Sequence, residues 1–118
     1  MKIKSLLSSF FLLAIICTVS FSCTKESGTP DPDSITILDN SFSPSPLTVD
    51  KGTTVTWTNS GASQHTVTSN TGSELGSPTI NSGGTYVHTF NTAGTFDYHC
   101  TFHGSPSAGM RGTVIVNP

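Results

Sequence analysis

The sequence predicts an all-β protein, a Greek-key sandwich of seven or eight short strands. Three observations predict it. From Ile35 onward, apolar residues recur at every second position in short runs, as they do in strands with one face buried. The runs are bounded by Asn, Asp, Gly and Pro, and none carries the spacing of an amphipathic helix. Finally, 118 residues with only 10% charged side chains, rich in Ser, Thr and Gly, suit one small β domain with a single core.

Residues 1–22 read as an export signal. Lys2 and Lys4 precede an unbroken apolar run, Phe10 to Cys17, which is too short to cross a bilayer unaided. The apolar stretch, broken only by Ser and Thr, continues to Phe21, so an uncleaved membrane anchor is the competing reading. Ser20-Phe21-Ser22-Cys23 resembles a bacterial lipoprotein cleavage box. It would put a lipid on Cys23 and hold the exported chain at a membrane of the bacterial cell envelope or periplasm. Residues 23–34 are polar and rich in Pro, Ser and Asp, a disordered tether. The folded domain is then 35–118.

Ile35, Ile37 and Phe42 open that domain, and Leu47 and Val49 alternate with polar partners. Asp50-Lys51-Gly52 makes a turn, after which Thr53 to Asn59 sets Val55 and Trp57 on one face. Asn59-Ser60-Gly61 breaks this strand. His65 to Ser69 resumes it with Val67 inward, and 70–84 is a polar loop around Pro78 and Ile80. Tyr86 to Phe90, Gly94 to Cys100 and Arg111 to Asn117 are the last three strands, with Asn91 to Gly94 as a turn. Phe90, Phe96, Tyr98, Val114 and Val116 complete the expected core. Alternation puts Phe96, Tyr98 and Cys100 on one face, and Asp97 and His99 on the other. His99 is therefore expected to face solvent. His88 shares a face with Tyr86 and Phe90 and is expected to be a partly buried structural histidine.

Cysteine usage narrows the chemistry. Cys17 leaves with the signal and Cys23 sits at the cleavage point, so Cys100 is the one thiol of the domain and has no disulfide partner there. An exported free thiol needs burial or a metal to protect it. Cys100, His103 and Met110 supply a thiol, an imidazole and a thioether close together in sequence, and His65, at a loop-strand junction upstream, is the natural second imidazole. Such a set matches electron-transfer copper. Zinc is the chief competitor for the Cys and two His. The bland reading makes Cys100 an inert buried thiol, the two His loop residues and Met110 a gap-filler. Beyond Cys23 the chain carries Lys25, Lys51 and Arg111 against seven carboxylates, three minus seven or −4, with no basic stripe for nucleic acid.

Three segments carry a family resemblance: FSPSPLTVDKGTTVTWTN, then QHTVTS, then TFNTAGTFDYHCTFH with AGMRGTVIV. Tyr-x-Cys-x-x-His followed by Ala-Gly-Met-x-Gly, with a Trp strand and a His upstream, resembles the cupredoxins of the plastocyanin, pseudoazurin and amicyanin kind. The resemblance implies a type 1 (blue) copper electron carrier holding one ion through His65, Cys100, His103 and Met110. It implies that His103 is the surface electron port, rimmed by Phe102, Gly104, Pro106, Ala108 and Gly109. Where the family often has Asn, Thr66 would reach toward Thr101 with a hydroxyl and give looser support. The six residues between His103 and Met110 exceed the loops of amicyanin- and plastocyanin-like sequences. They are expected to bulge outward, with Met110 held in place from the strand side. Such a metal keeps no vacant position for substrate, so no enzyme is expected. The implied partner is a redox protein such as a cytochrome or copper reductase, met by a monomer tethered to a membrane through Cys23. Copper storage or delivery in the cell envelope is the alternative function, and a surface module with incidental metal a third.

Overall fold

The computed structural model of the protein describes residues 32–118. The export signal, Cys23 and most of the tether expected over 23–34 lie outside the described residues. Eight strands follow in order: β1 (Ser34–Ile37), β2 (Phe42–Ser43), β3 (Leu47–Asp50), β4 (Thr54–Asn59), β5 (Thr68–Ser69), β6 (Thr85–Thr89), β7 (Gly94–Ser105) and β8 (Ala108–Asn117). They form two four-stranded sheets, β2-β1-β4-β6 and β3-β8-β7-β5, packed as a Greek-key sandwich. β1 runs parallel to β4 and β3 parallel to β8, while the other pairs are antiparallel. No helix occurs among the described residues.

Alternation decides which side chains meet between the sheets. Ile35, Ile37, Val55, Trp57, Val67, Phe90, Tyr98 and Val114 are fully buried there. Trp57 is the hub: its ring lies 5.6 Å from that of Tyr86, 5.7 Å from Tyr98 and 6.3 Å from Phe90, centroid to centroid. Such tilted and edge-on aromatic pairs add to the large area each ring buries. Phe96 is only partly buried and packs at the margin, 5.2 Å from Phe90. The loop over 70–84 contributes more than its polar composition indicates, because Leu75 and Ile80 are both buried in the core. Ser69 draws Leu75 in, its hydroxyl accepting from the Leu75 amide at 2.8 Å while its own amide donates to the Leu75 carbonyl at 2.9 Å.

Three strands differ from expectation in a way that shapes the end of the sandwich. The β7–β8 ladder is regular from Gly94↔Val116 to His99↔Arg111, breaks, and resumes with Gly104↔Gly109 and Ser105↔Ala108. The expected outward bulge is thus corrected: the long segment pairs with itself and prolongs both strands into a hairpin, turning at Pro106-Ser107. Gly109 permits this. Its φ of +79° is in the left-handed region, and a Cβ there would stand 2.6 Å from the His103 carbonyl oxygen. β5 is shorter than expected, and His65 enters instead through an isolated bridge to Ile80.

The histidines divide as follows. His88 is partly buried, with Nε2 2.8 Å from Glu74 Oε1 and its ring edge-on to Phe90. His99 does not face solvent. It does point away from Cys100, as alternation requires, but Asn70 at the end of β5 covers it, with Asn70 Oδ1 2.7 Å from His99 Nδ1, and only 8% of the residue stays exposed.

Gly112 tests the packing. It sits opposite Tyr98 in the β7–β8 ladder, and an added Cβ would run into the Tyr98 ring and hydroxyl. Gly112→Ala is expected to cost about 1–3 kcal/mol of stability through overpacking, read as a lower urea midpoint with an unchanged slope.

Candidate metal centre

The break in the β7–β8 ladder is where the chemistry collects. A regular strand would send Cys100 and His103, three residues apart, to opposite faces. The irregularity between His99 and Gly104 lets both donors turn toward one point. Cys100 Sγ stands 3.4 Å from His103 Nδ1 and 3.6 Å from His65 Nδ1. All three donor atoms lie within 4.8 Å of one another.

His65 reaches this point from the tightly held segment between β4 and β5. Its backbone exchanges two hydrogen bonds with Ile80, at 3.0 and 2.8 Å. Before it, Asn59 is fully buried and works in three directions. Its side-chain amide donates to the carbonyls of Ser63 at 2.8 Å and Ile80 at 2.9 Å, while its Oδ1 accepts from the Gly61 amide at 3.0 Å. Sequence reasoning takes Asn59 as a strand-breaking turn residue. The same Asn-Ser-Gly signal marks the side chain that organises the turn.

Thr66 ties the two halves of the centre together. Its hydroxyl accepts from the Thr101 amide at 2.9 Å and lies 3.1 Å from the Thr101 hydroxyl. One contact therefore joins the residue after His65 to the residue after Cys100. Thr68 steadies it, donating to the Thr66 hydroxyl at 3.1 Å.

Burial grades across the centre. Cys100 and His65 are fully buried, Met110 is 3% exposed at the start of β8, and His103 is open to solvent beside Phe102, itself 48% exposed. Burial, then the nearby His103, holds the His65 imidazole below its ordinary pKa, with Asp39 opposing. The shift favours the neutral imidazole, the form that binds a metal.

These distances pass a test of fit. A thiolate and an imidazole nitrogen bound to one ion at roughly 2.0–2.3 Å stand roughly 3.4–3.7 Å apart. Both sulfur–nitrogen separations fall in that range. The donors are soft or borderline, one sulfur and two imidazoles with a thioether nearby, which suits copper better than a hard cation. His65, Cys100, His103 and Met110 are positioned to form a site for one copper ion.

Comparison with known proteins agrees with the geometry. The sequence profile of the Cupredoxin-like domain matches residues 10–116. Amicyanin-alpha of Methylorubrum extorquens is 29% identical over 114 residues, covering 93% of this chain and 92% of that protein. The Cu(I) form of an amicyanin variant superposes with a TM-score of 0.62 at 37% identity, over 75% of this chain and 86% of that one. A purple cupredoxin from Nitrosopumilus maritimus does so with a TM-score of 0.61 at 32% identity, over 71% of this chain and 98% of that one. A buried thiol flanked by two imidazoles on a two-sheet sandwich, with a profile match across most of the chain, places this protein in the cupredoxin-like family.

Proposed function

We propose that this protein is a type 1 copper electron carrier of the cell envelope. The observation that carries the reading is the convergence of two imidazole nitrogens on a fully buried thiol, with one of the two imidazoles open to solvent. In this reading Cys100, His65 and His103 would hold the ion, with the Met110 thioether as a weaker fourth donor. Bound copper would supply a one-electron Cu(I)/Cu(II) couple.

The rest is done by the chain. The fold brings one donor from a loop and one from a strand: His65 through its bridge to Ile80, and Cys100 from the interior of β7. The Thr66–Thr101 contact locks the two to each other. A preformed donor set of this kind need not rearrange when the charge of the ion changes, and this speeds transfer. His103 is the port, since its exposed ring carries the site to the surface where a partner can touch it. Phe102 beside it offers an apolar contact.

The reading is of a carrier rather than an enzyme. A polar groove of about 340 Å³ lies under the hairpin, lined by Ser45, Asn70, Asp97, Pro106, Arg111, Gly112 and Thr113. None of the four donor residues lines it, so it does not open the metal to a substrate. The partner would be a redox protein such as a cytochrome or copper reductase, engaged by a monomer. Copper delivery is separated from this by one measurement. An intensely coloured Cu(II) protein that ascorbate and ferricyanide cycle reversibly is a carrier, whereas a colourless Cu(I) protein stripped by a chelator is a delivery protein.

Cys100→Ser is expected to abolish the visible copper band while the far-ultraviolet circular dichroism of a β-sandwich persists. A retained band would refute the ligand assignment. Met110→Leu should keep copper and raise the reduction potential by removing a donor that favours Cu(II), and Met110→Gln should lower it by offering a harder oxygen. Unchanged potentials in both would make Met110 core packing only. Export with a lipid on Cys23 is part of the same proposal, and supports a carrier that works close to a membrane. Cys23→Ala is expected to move the protein from the membrane fraction to the soluble exported one, whereas an uncleaved anchor would leave it in the membrane.

A further inference from the structure

The side of His65 turned away from Cys100 meets a carboxylate. Nδ1 lies 3.6 Å from Cys100 Sγ, while Nε2, across the same ring, is buried without a hydrogen-bond partner and stands 3.9 Å from Oδ1 of Asp39. Asp39 belongs to the turn between β1 and β2. The same Oδ1 accepts from the amides of Ala62 at 2.8 Å and Ser63 at 3.0 Å. The oxygen that faces the imidazole therefore also shapes the loop that delivers it. Gly61 makes room for this approach, since a Cβ there would collide with Asp39 Oδ1. The Ser63 amide, helped by the Ala62 amide and by His65 and opposed by desolvation, holds the Asp39 carboxyl below its ordinary pKa. It is a fixed negative charge.

A neutral imidazole that gives Nδ1 to a metal keeps its proton on Nε2. An anion facing that proton makes the ligand nitrogen more basic, and it stabilises the ion more in its higher charge state. At 3.9 Å the contact is one of charge with dipole rather than a hydrogen bond. We propose that Asp39 is a positioning residue for the copper site which, acting through Nε2 of His65, biases the bound ion toward Cu(II) and lowers its reduction potential. This rests on the copper reading above. Asp39 is about half exposed, at 49%, so solvent screens part of the effect without removing it.

Voltammetry of the copper-loaded protein tests the inference with two neutralising variants. Asp39→Asn keeps an oxygen to accept from Ala62 and Ser63 while removing the charge. Asp50→Asn removes the same charge beside Asn117, at the opposite end of β8 from Met110. Asp39→Asn is expected to keep the visible band and shift the Cu(I)-to-Cu(II) affinity ratio by roughly threefold to tenfold toward Cu(I), raising the midpoint potential. Asp50→Asn should leave the potential in place. An Asp39→Asn protein with an intact band and the wild-type potential overturns the inference and leaves the copper reading standing. An equal shift in Asp50→Asn also overturns it, by making the effect one of net charge. A wild-type protein with no copper band overturns both. Should Asp39→Asn fail to fold, Asp39→Ser, with its shorter acceptor, carries the same comparison.

Discussion

Everything at the working end of this molecule depends on one interruption in a β-ladder. β7 and β8 pair regularly up to His99↔Arg111 and again from Gly104↔Gly109. Between those points the backbone gives up its ladder and gains a concave turn that presents Cys100 and His103 to the same point. The cost of the interruption is contained because pairing resumes beyond it. The zipped hairpin of Gly104, Ser105, Ala108 and Gly109 closes the loop from outside, and Asn70 links it loosely to β5, donating to the Pro106 carbonyl at 3.4 Å. Met110 enters β8 directly behind this closure, so the same ladder that supplies the thiol and the exposed imidazole also seats the thioether.

The His65 side of the centre is held by polar clamps rather than by a ladder. His65 has no strand to hold it beyond its bridge to Ile80. Asn59 and Asp39 instead hydrogen-bond to the segment that precedes it, and Thr66, which follows it, to Thr101. A fully buried imidazole is tolerable there because desolvation favours its neutral form. The centre thus joins a rigid, sheet-borne half to a loop-borne half, and the Thr66–Thr101 contact is the seam between them.

Much of the fold could be read from the sequence because period-two burial leaves a direct trace: every expected core residue except Phe96 is buried, and the strand order follows from turn residues such as Asp50-Lys51-Gly52. The donors could be read because Cys, His and Met in this spacing are rare without a purpose. What escaped was set by tertiary contact. Leu75 has only polar or glycine neighbours in the chain, and the Ser69 hydroxyl that accepts from its amide folds it back into the core. His99 obeys alternation, yet Asn70, which shields it, lies 29 positions away in the chain. The hairpin at Ser105–Ala108 escaped because Gly, Ser and Pro allow an open loop and a tight turn equally well. Asp39 gave no signal at all, being one polar residue in a turn whose partner loop begins more than twenty positions later.

The complete burial of Cys100 also bears on how long the protein survives without its metal. Among the described residues there is no second cysteine to cap this thiol, so an oxidant that reached it would drive it through sulfenic acid to irreversible products. Reaching it requires the hairpin or the His65 loop to open, and such local openings set the rate at which buried groups are exposed. The clamps that fix the geometry of the donors therefore also act as a kinetic shield. The lifetime of the apoprotein before metallation is governed by the frequency with which Asn59, Thr66 and the zipped hairpin let go.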